Sequence, residues 1–362
     1  MKKNWDIFCR IVDNFGDIGV CWRLAKQLNA EYGLAVTLWI DDLNVAQKII
    51  PQLDASLDQQ MVDKIKLLKW QDKADFTIAA DVVIEAFACE LPALYISAMA
   101  EKKSKWINLE YLSAESWVAD FHAKPSPQAN GLIRYFYFPG FTDKTGGLIR
   151  ESGIKQLKPT DDAALLENDQ CCLKVSLFCY PNAPIQDLLA ALQGNKNKVV
   201  VYVPDSSILS KVADYFGRKT IDAGEKITKN NLTVQVLPFL SQADYDQLLS
   251  ACDLNFVRGE DSWVRAIWAA KPFIWQPYFQ EENTHLKKLE AFLASYYANL
   301  DAKEAVCQLH AAWAGQHPLV PVWQDYLDQL GLIADYTLQQ SQQLAMQEDL
   351  AGKLVRFCHQ IE

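Results

Sequence analysis

The chain is 362 residues long, half of them hydrophobic and 22% charged, with a net charge of −10 at pH 7. That profile predicts a globular protein with room for two domains, and the excess of acid argues against general nucleic-acid binding, which needs basic surface to neutralise phosphates. No apolar run approaches the ~20 residues that span a bilayer. The start, MKKNWDIFCRIV, reaches Asp6 and Arg10 before any signal-peptide core forms, and nine scattered cysteines without a C-x-x-C pattern predict reduced thiols in a cytoplasmic protein with no membrane partner.

The first predicted strand covers 5–12 and runs into Asp13-Asn14-Phe15-Gly16-Asp17-Ile18-Gly19, followed by an amphipathic helix, Val20 to Glu31. This turn has two glycines where a dinucleotide fingerprint needs three, and two acids where a pyrophosphate would sit, so a Rossmann dehydrogenase fits poorly. The glycines suit close approach of backbone to a ligand, with Asp13 and Asp17 aimed at it; the bland alternative is that the aspartates cap the helix. A second strand is predicted over Ala35 to Ile40, and further pieces over Lys64 to Trp70 and Val82 to Ile84, with Glu85 directly after. Trp106 to Val118 reads as an aromatic-rich helix, and 135–151 as a glycine-bearing loop suited to chemistry or acceptor binding.

The polar stretch Glu151 to Gln170 reads as a linker, after which the alternation begins again. Strands are expected at Lys174 to Tyr180, Lys198 to Val203, Leu232 to Val236, Leu254 to Val257 and Pro272 to Trp275; helices at Ile185 to Gln193, near Ser207 to Phe216, at Ala243 to Cys252 and at Trp263 to Ala270. One or two helices close the chain from Tyr336. Two β-α alternations predict an α/β protein with two facing, doubly wound Rossmann-like domains. The boundaries expected are 1–152, completed by the C-terminal helix 335–362, and 153–334.

Within the second half, Asn255 to Trp263 (NFVRGEDSW) is the strongest candidate site. Strand, glycine turn and helix start are the parts of an anion cradle, because first-turn N–H groups lack partners and carry the positive end of the helix dipole. Arg258 adds a planar cation suited to phosphate. Glu260 and Asp261 would repel a phosphate, so they make sense serving sugar hydroxyls or a cationic acceptor; the plain alternative is a helix cap and a surface ion pair. No G-x-x-x-x-G-K-[ST], H-E-x-x-H or G-x-S-x-G is present, no D-x-D element follows a strand, and the five histidines lack zinc spacing. Metal-independent transfer from a nucleotide-sugar, with no cofactor, fits what remains.

Several runs together resemble the protein-arginine rhamnosyltransferases that modify bacterial translation elongation factor P: VDNFGDIGVCWRLA (12–25), VVIEAFACELP (82–92), INLEYLSAESWV (107–118), FPGFTDKTGGLIRE (138–151), LFCYPN (177–182), PFLSQADYDQLL (238–249) and VRGEDSWVRAIWAAKPFIWQPY (257–278). The resemblance covers the chain to about residue 300. It implies a GT-B fold, dTDP-β-L-rhamnose as donor, an arginine of elongation factor P as acceptor, and inversion at the anomeric carbon. It also implies Asp17 as catalytic base with Asp13 beside it, and Glu260 as an essential glutamate. Asn14, Phe15 and Gly16 would line the sugar, while Tyr180, Gln242, Arg258, Gly259, Asp261 and Ser262 would hold nucleotide and diphosphate, with Phe239 on thymine. Other readings are a GT-B enzyme with a different donor or acceptor, and a non-catalytic nucleotide-sugar-binding partner of the translation factor.

Arginine is a demanding nucleophile. Its guanidinium stays protonated with a pKa above ~12, so an ordinary aspartate near ~4 faces a gap of roughly 8–9 units, about 12 kcal/mol. Proton transfer must therefore accompany or follow C–N bond formation, and the earlier task of the carboxylates is to bind and orient a cation.

Overall fold

The computed structural model describes residues 3–361 apart from Asn14, Asp72 and 157–171. The chain divides into two compact units, Met1–Ser152 with Ala345–Glu362, and Gly153–Leu344.

The first unit is built on an eight-stranded sheet. Its strands are β1 (Asn4–Cys9), β2 (Ala35–Ile40), β3 (Gln59–Val62), β4 (Ile65–Lys69), β5 (Val82–Ala86), β6 (Lys105–Leu109), β7 (Lys124–Pro127) and β8 (Ile133–Tyr137), in spatial order β3-β4-β2-β1-β5-β6-β8-β7. The six inner strands pair in parallel and only the edges, β3 and β7, are antiparallel. Helices α1 (Gly16–Tyr32), α2 (Leu43–Ile49), α3 (Ala93–Lys102) and α4 (Val118–Phe121) make the connections. The chain moves outward from β1 through β2 to one edge, then restarts at β5 on the other side of β1. Such a reversal of strand order leaves a crevice at the carboxyl ends of the two strands, where α/β proteins bind ligands.

Aromatic packing fills one layer of this unit: Phe8 stacks on Trp39 with centroids 5.3 Å apart, and Tyr95 lies 4.7 Å from Phe8. Asp6 is buried among them and accepts hydrogen bonds from the Tyr95 hydroxyl (2.6 Å) and Trp39 Nε1 (2.9 Å). One expectation changes here. Trp106 to Val118 is not a helix: Lys105–Leu109 is a buried parallel strand, and helix resumes only at Val118. An apolar run covered on both sheet faces carries no alternation that would separate it from a buried helix. The glycine-bearing loop after β8 is largely buried against the chain's C-terminal helix, Leu350–Gln360. Lys353 Nζ donates to the Thr145 carbonyl at 2.8 Å and Leu350 N to the Leu148 carbonyl at 2.9 Å. These bonds fasten the loop to that helix, while Thr142, Asp143 and Lys144 stay exposed.

The second unit carries a six-stranded sheet of β9 (Leu173–Leu177), β10 (Val199–Pro204), β11 (Lys226–Lys229), β12 (Leu232–Leu237), β13 (Leu254–Arg258) and β14 (Phe273–Gln276), ordered β11-β12-β10-β9-β13-β14. Only β11 is antiparallel to its neighbour. Its helices are α5 (Ile185–Gln193), α6 (Leu209–Tyr215), α7 (Gln242–Ala251), α8 (Asp261–Ala269), α9 (Thr284–Tyr296), α10 (Lys303–Trp313), α11 (Val320–Asp328) and α12 (Leu330–Ala345). Strand order reverses between β9 and β13, so the Tyr180 loop and the Arg258–Glu260 turn border this unit's crevice. The expected return to the first unit at residue 335 falls inside α12, and the return comes ten residues later, at Ala345. Most of the predicted linker, from residue 157 on, lies outside the described residues, as does Cys171.

Candidate active site

In the first unit the loop after β1 folds back on itself to start α1. Gly16 N donates to the Asp13 carbonyl at 2.7 Å, and Phe15 occupies the cap position without a side-chain cap. The Asp17 side chain is turned inward and only 2% exposed. Its Oδ2 accepts from the backbone N–H groups of Val12 (2.7 Å) and Asp13 (2.8 Å), and its Oδ1 from the Tyr111 hydroxyl (3.2 Å). Desolvation raises its pKa against the opposing pull of these three bonds, and nearby Asp41 raises it further. Asp13 is half-buried and lies over Gly16, where an added Cβ would stand 2.7 Å from Asp13 Oδ2. A side chain at this position would force the Asp13 carboxylate to shift. Asn14 lies outside the described residues.

The loop after β5 faces the same strand-order reversal. Three of its residues, Phe87, Ala88 and Glu90, have φ of 57°, 51° and 59°. None is glycine, and the left-handed region costs such residues about 1–2 kcal/mol each. The strained turn is held by Phe87 N to the Leu109 carbonyl (2.7 Å), Ala88 N to Asn108 Oδ1 (3.2 Å) and Glu90 N to Glu85 Oε1 (3.1 Å). Glu85 is itself buried in β5 and also accepts from Trp106 Nε1 at 2.9 Å, so it supports the loop from below. Glu115 accepts from Ser113 Oγ at 2.9 Å.

In the second unit β13 delivers Arg258 to the sheet's carboxyl edge. Its guanidinium is buried between two rings, 4.4 Å from the Phe178 centroid and 4.7 Å from Tyr180, and NH1 points at the Cys179 carbonyl at 3.4 Å. Gly259 has φ 61°, a conformation that favours glycine. Both of its backbone polar groups are tied to β14: its N–H donates to the Gln276 carbonyl (3.0 Å), and its carbonyl accepts from Trp275 Nε1 (2.7 Å). Trp275 is stacked on Trp263 of α8 with centroids 3.6 Å apart, which couples the turn to the helix it feeds. Glu260 is half-buried at the cap position of α8, without a side-chain cap.

Ser262 does not point outward: its hydroxyl accepts from Arg258 N at 3.1 Å and donates to the Arg258 carbonyl. Asp261 accepts from Gln242 Nε2 at 3.3 Å, and one turn further Arg265 makes a two-pronged buried pair with Asp246 at 2.9 and 2.7 Å. Helices α7 and α8 are thus joined near their N-termini. Tyr180 N donates to Gln276 Oε1 at 2.8 Å, and Gln276 Nε2 reaches Asn182 at 3.1 Å. Phe239 is half-buried in the loop after β12. In the first unit Asp13, Phe15, Gly16 and Asp17 thus share one turn at the strand-order reversal. In the second the bonds above tie together Tyr180, Gln242, Arg258, Gly259, Asp261 and Ser262, while Phe239 stands in the loop after β12, away from that reversal.

Five residues around these two clusters were not singled out from the sequence: Phe87, Tyr111, Trp275, Gln276 and His310. His310 is fully buried in α10 and its Nε2 accepts from Trp275 N at 3.1 Å, while Nδ1 faces the Val306 carbonyl at 2.9 Å. Burial lowers its pKa to about 4, despite the Val306 bond acting the other way. Because the unfolded chain takes up this proton near ~6.5, folding stability falls as pH drops from there and stops falling below the folded value. The loss should reach roughly 3 kcal/mol by pH 4. Urea midpoints at pH 7 and pH 4.5 should show an acid loss in the wild type that is smaller in His310→Gln; equal acid losses would contradict the assignment.

Across residues 5–359 the sequence matches the family model for elongation factor P rhamnosyltransferases, EarP. The chain belongs to this family. A protein-arginine rhamnosyltransferase of Pseudomonas putida is 44% identical over 372 residues, covering 99% of each chain. A solved structure described as the structural basis for EarP-mediated arginine glycosylation of translation elongation factor EF-P aligns over 99% of each chain, at 32% identity and a TM-score of 0.70. The GT-B architecture extends to far more distant proteins: Acinetobacter baumannii MurG aligns over 99% of this chain and 98% of its own, at a TM-score of 0.53 and 13% identity.

Proposed function

We propose that this protein transfers rhamnose from dTDP-β-L-rhamnose to an arginine side chain of translation elongation factor P, with inversion and without a metal. Family membership over nearly the whole chain carries this reading. The relatives' names supply arginine and rhamnose, and the family's description supplies the acceptor protein. The thymidine nucleotide follows from the sequence resemblance.

The chemistry suits the residues. Arg258 presents a flat cation at the edge of β13, and with the first turn of α8 it would take the charge that grows on the departing diphosphate. Gly259 lets the backbone approach that group, and Glu260 is available for the rhamnose hydroxyls. Asp17 and Asp13 would hold the acceptor guanidinium as a cation. As the new C–N bond forms and the C–O bond to diphosphate breaks, the attacking nitrogen becomes acidic, and its proton passes to a carboxylate. Oδ2 of Asp17 is occupied by two backbone donors, so Oδ1, shared with Tyr111, is the atom that would receive it.

Elongation factor P incubated with the protein and dTDP-rhamnose, then weighed by mass spectrometry, should gain one deoxyhexose on an arginine. Tight donor binding with no mass gain would instead identify a nucleotide-sugar-binding partner.

A further inference from the structure

Phe87 and Tyr111 stack with ring centroids 4.3 Å apart and planes within 12°. Both are half-buried, so the pair offers aromatic surface at the edge of the first unit. Tyr111 also donates its hydroxyl to Asp17 Oδ1, which places the stack directly beside the candidate base. The other member is unusual in its backbone. Phe87 is the first of three non-glycine residues held in the left-handed region, and this turn is braced by Leu109, Asn108 and buried Glu85. A relaxed turn with glycine would be easier to build but would not present a ring. The strain is retained where strand order reverses, between the ends of β1 and β5.

We propose that the Phe87–Tyr111 stack is the platform on which the acceptor guanidinium lies, and that it selects arginine over lysine. This rests on the transfer reaction proposed above. A guanidinium is planar, weakly hydrated and binds flat on aromatic faces, whereas an ammonium is a compact, strongly hydrated point charge that gains less there. A cation lying on the stack has the Asp17 carboxylate within one hydroxyl's reach through Tyr111, so the same step that holds it flat also aims it. Phe87 and Tyr111 are in this sense specificity and positioning residues, and the proton still goes to the carboxylate.

The test uses the full chain, dTDP-rhamnose and elongation factor P. Phe87→Leu and Phe87→Met should raise the acceptor KM about tenfold while dTDP affinity, read by calorimetry, stays at the wild-type value. Phe87→Tyr, which keeps the ring, should restore KM to near wild type. Tyr111→Phe keeps the stack and removes a hydrogen bond that lowers the Asp17 pKa, so acceptor KM should hold while the acid limb of kcat moves to higher pH. Acceptor in which the target arginine is lysine should bind the wild type more weakly than the arginine form, and this discrimination should shrink in Phe87→Leu. An unchanged acceptor KM in both non-aromatic variants, or failure of Phe87→Tyr to restore it, overturns the platform. Absence of transfer by the wild type would instead overturn the reaction itself.

Discussion

Asp17→Asn is expected to lower turnover by about 10²–10⁴-fold while leaving dTDP affinity and thermal stability close to wild type, the range that general acid–base groups contribute. The separation of effects follows from the geometry. An asparagine placed in the same rotamer can accept both backbone N–H groups, from Val12 and Asp13, with its single oxygen. Its amide then faces the Tyr111 hydroxyl, which can turn to accept instead of donating. The loop is kept and only the charge is lost. The charge matters twice, first in holding a protonated guanidinium and later in taking its proton, so both acceptor KM and kcat should suffer. Burial also makes a prediction for the wild type: because desolvation raises the Asp17 pKa, the acid limb of kcat/KM should lie above the ordinary carboxylate value of ~4. That limb should vanish in the residual activity of Asp17→Asn. Turnover near wild type in this variant, with donor binding intact, would remove Asp17 from the chemistry and leave it as the clasp of its own loop.

The division between what the sequence disclosed and what it did not has a physical pattern. Ala35–Ile40 and Ile185–Gln193 were readable to the residue because turn formers bound them and each has a clear period. The acid and glycine turns at Asp13–Asp17 and Arg258–Glu260 were legible for the same reason: glycine marks backbone that must come close or turn left-handed. Lys105–Leu109 was misread because a strand buried on both faces carries no alternation. The supporting residues were invisible for a different reason. Gln276 meets Tyr180 across 96 positions of sequence, and Tyr111 meets Asp17 across 94. No local spacing announces such a bond. His310 finds its partner only where β14 lies beside α10, and nothing local in the sequence marks the backbone strain at Phe87.

Arg258→Met carries the other large expectation, because it should weaken donor binding and slow transfer together without costing the ligand-free protein stability. Loss of a fixed charge at a developing diphosphate is worth about 10²–10³ in rate by comparison with other oxyanion donors. In the absence of a ligand, however, this guanidinium is an expensive group to bury. Among the described residues its polar partner is one carbonyl at 3.4 Å, and its remaining contacts are the faces of Phe178 and Tyr180. Two cation–π contacts return ~1–2 kcal/mol each, against a desolvation cost of several kcal/mol for a buried ion. Methionine fills the same slot between the rings without a charge, so its Tm should equal or exceed that of the wild type. Arg258→Lys separates shape from charge: the slot between two rings accepts a plate, and an ammonium on a flexible stem should recover less than a tenth of the lost activity. A methionine variant that melts well below wild type would show that Arg258 is chiefly structural. A lysine variant with nearly full activity would show that the rings do not define its role.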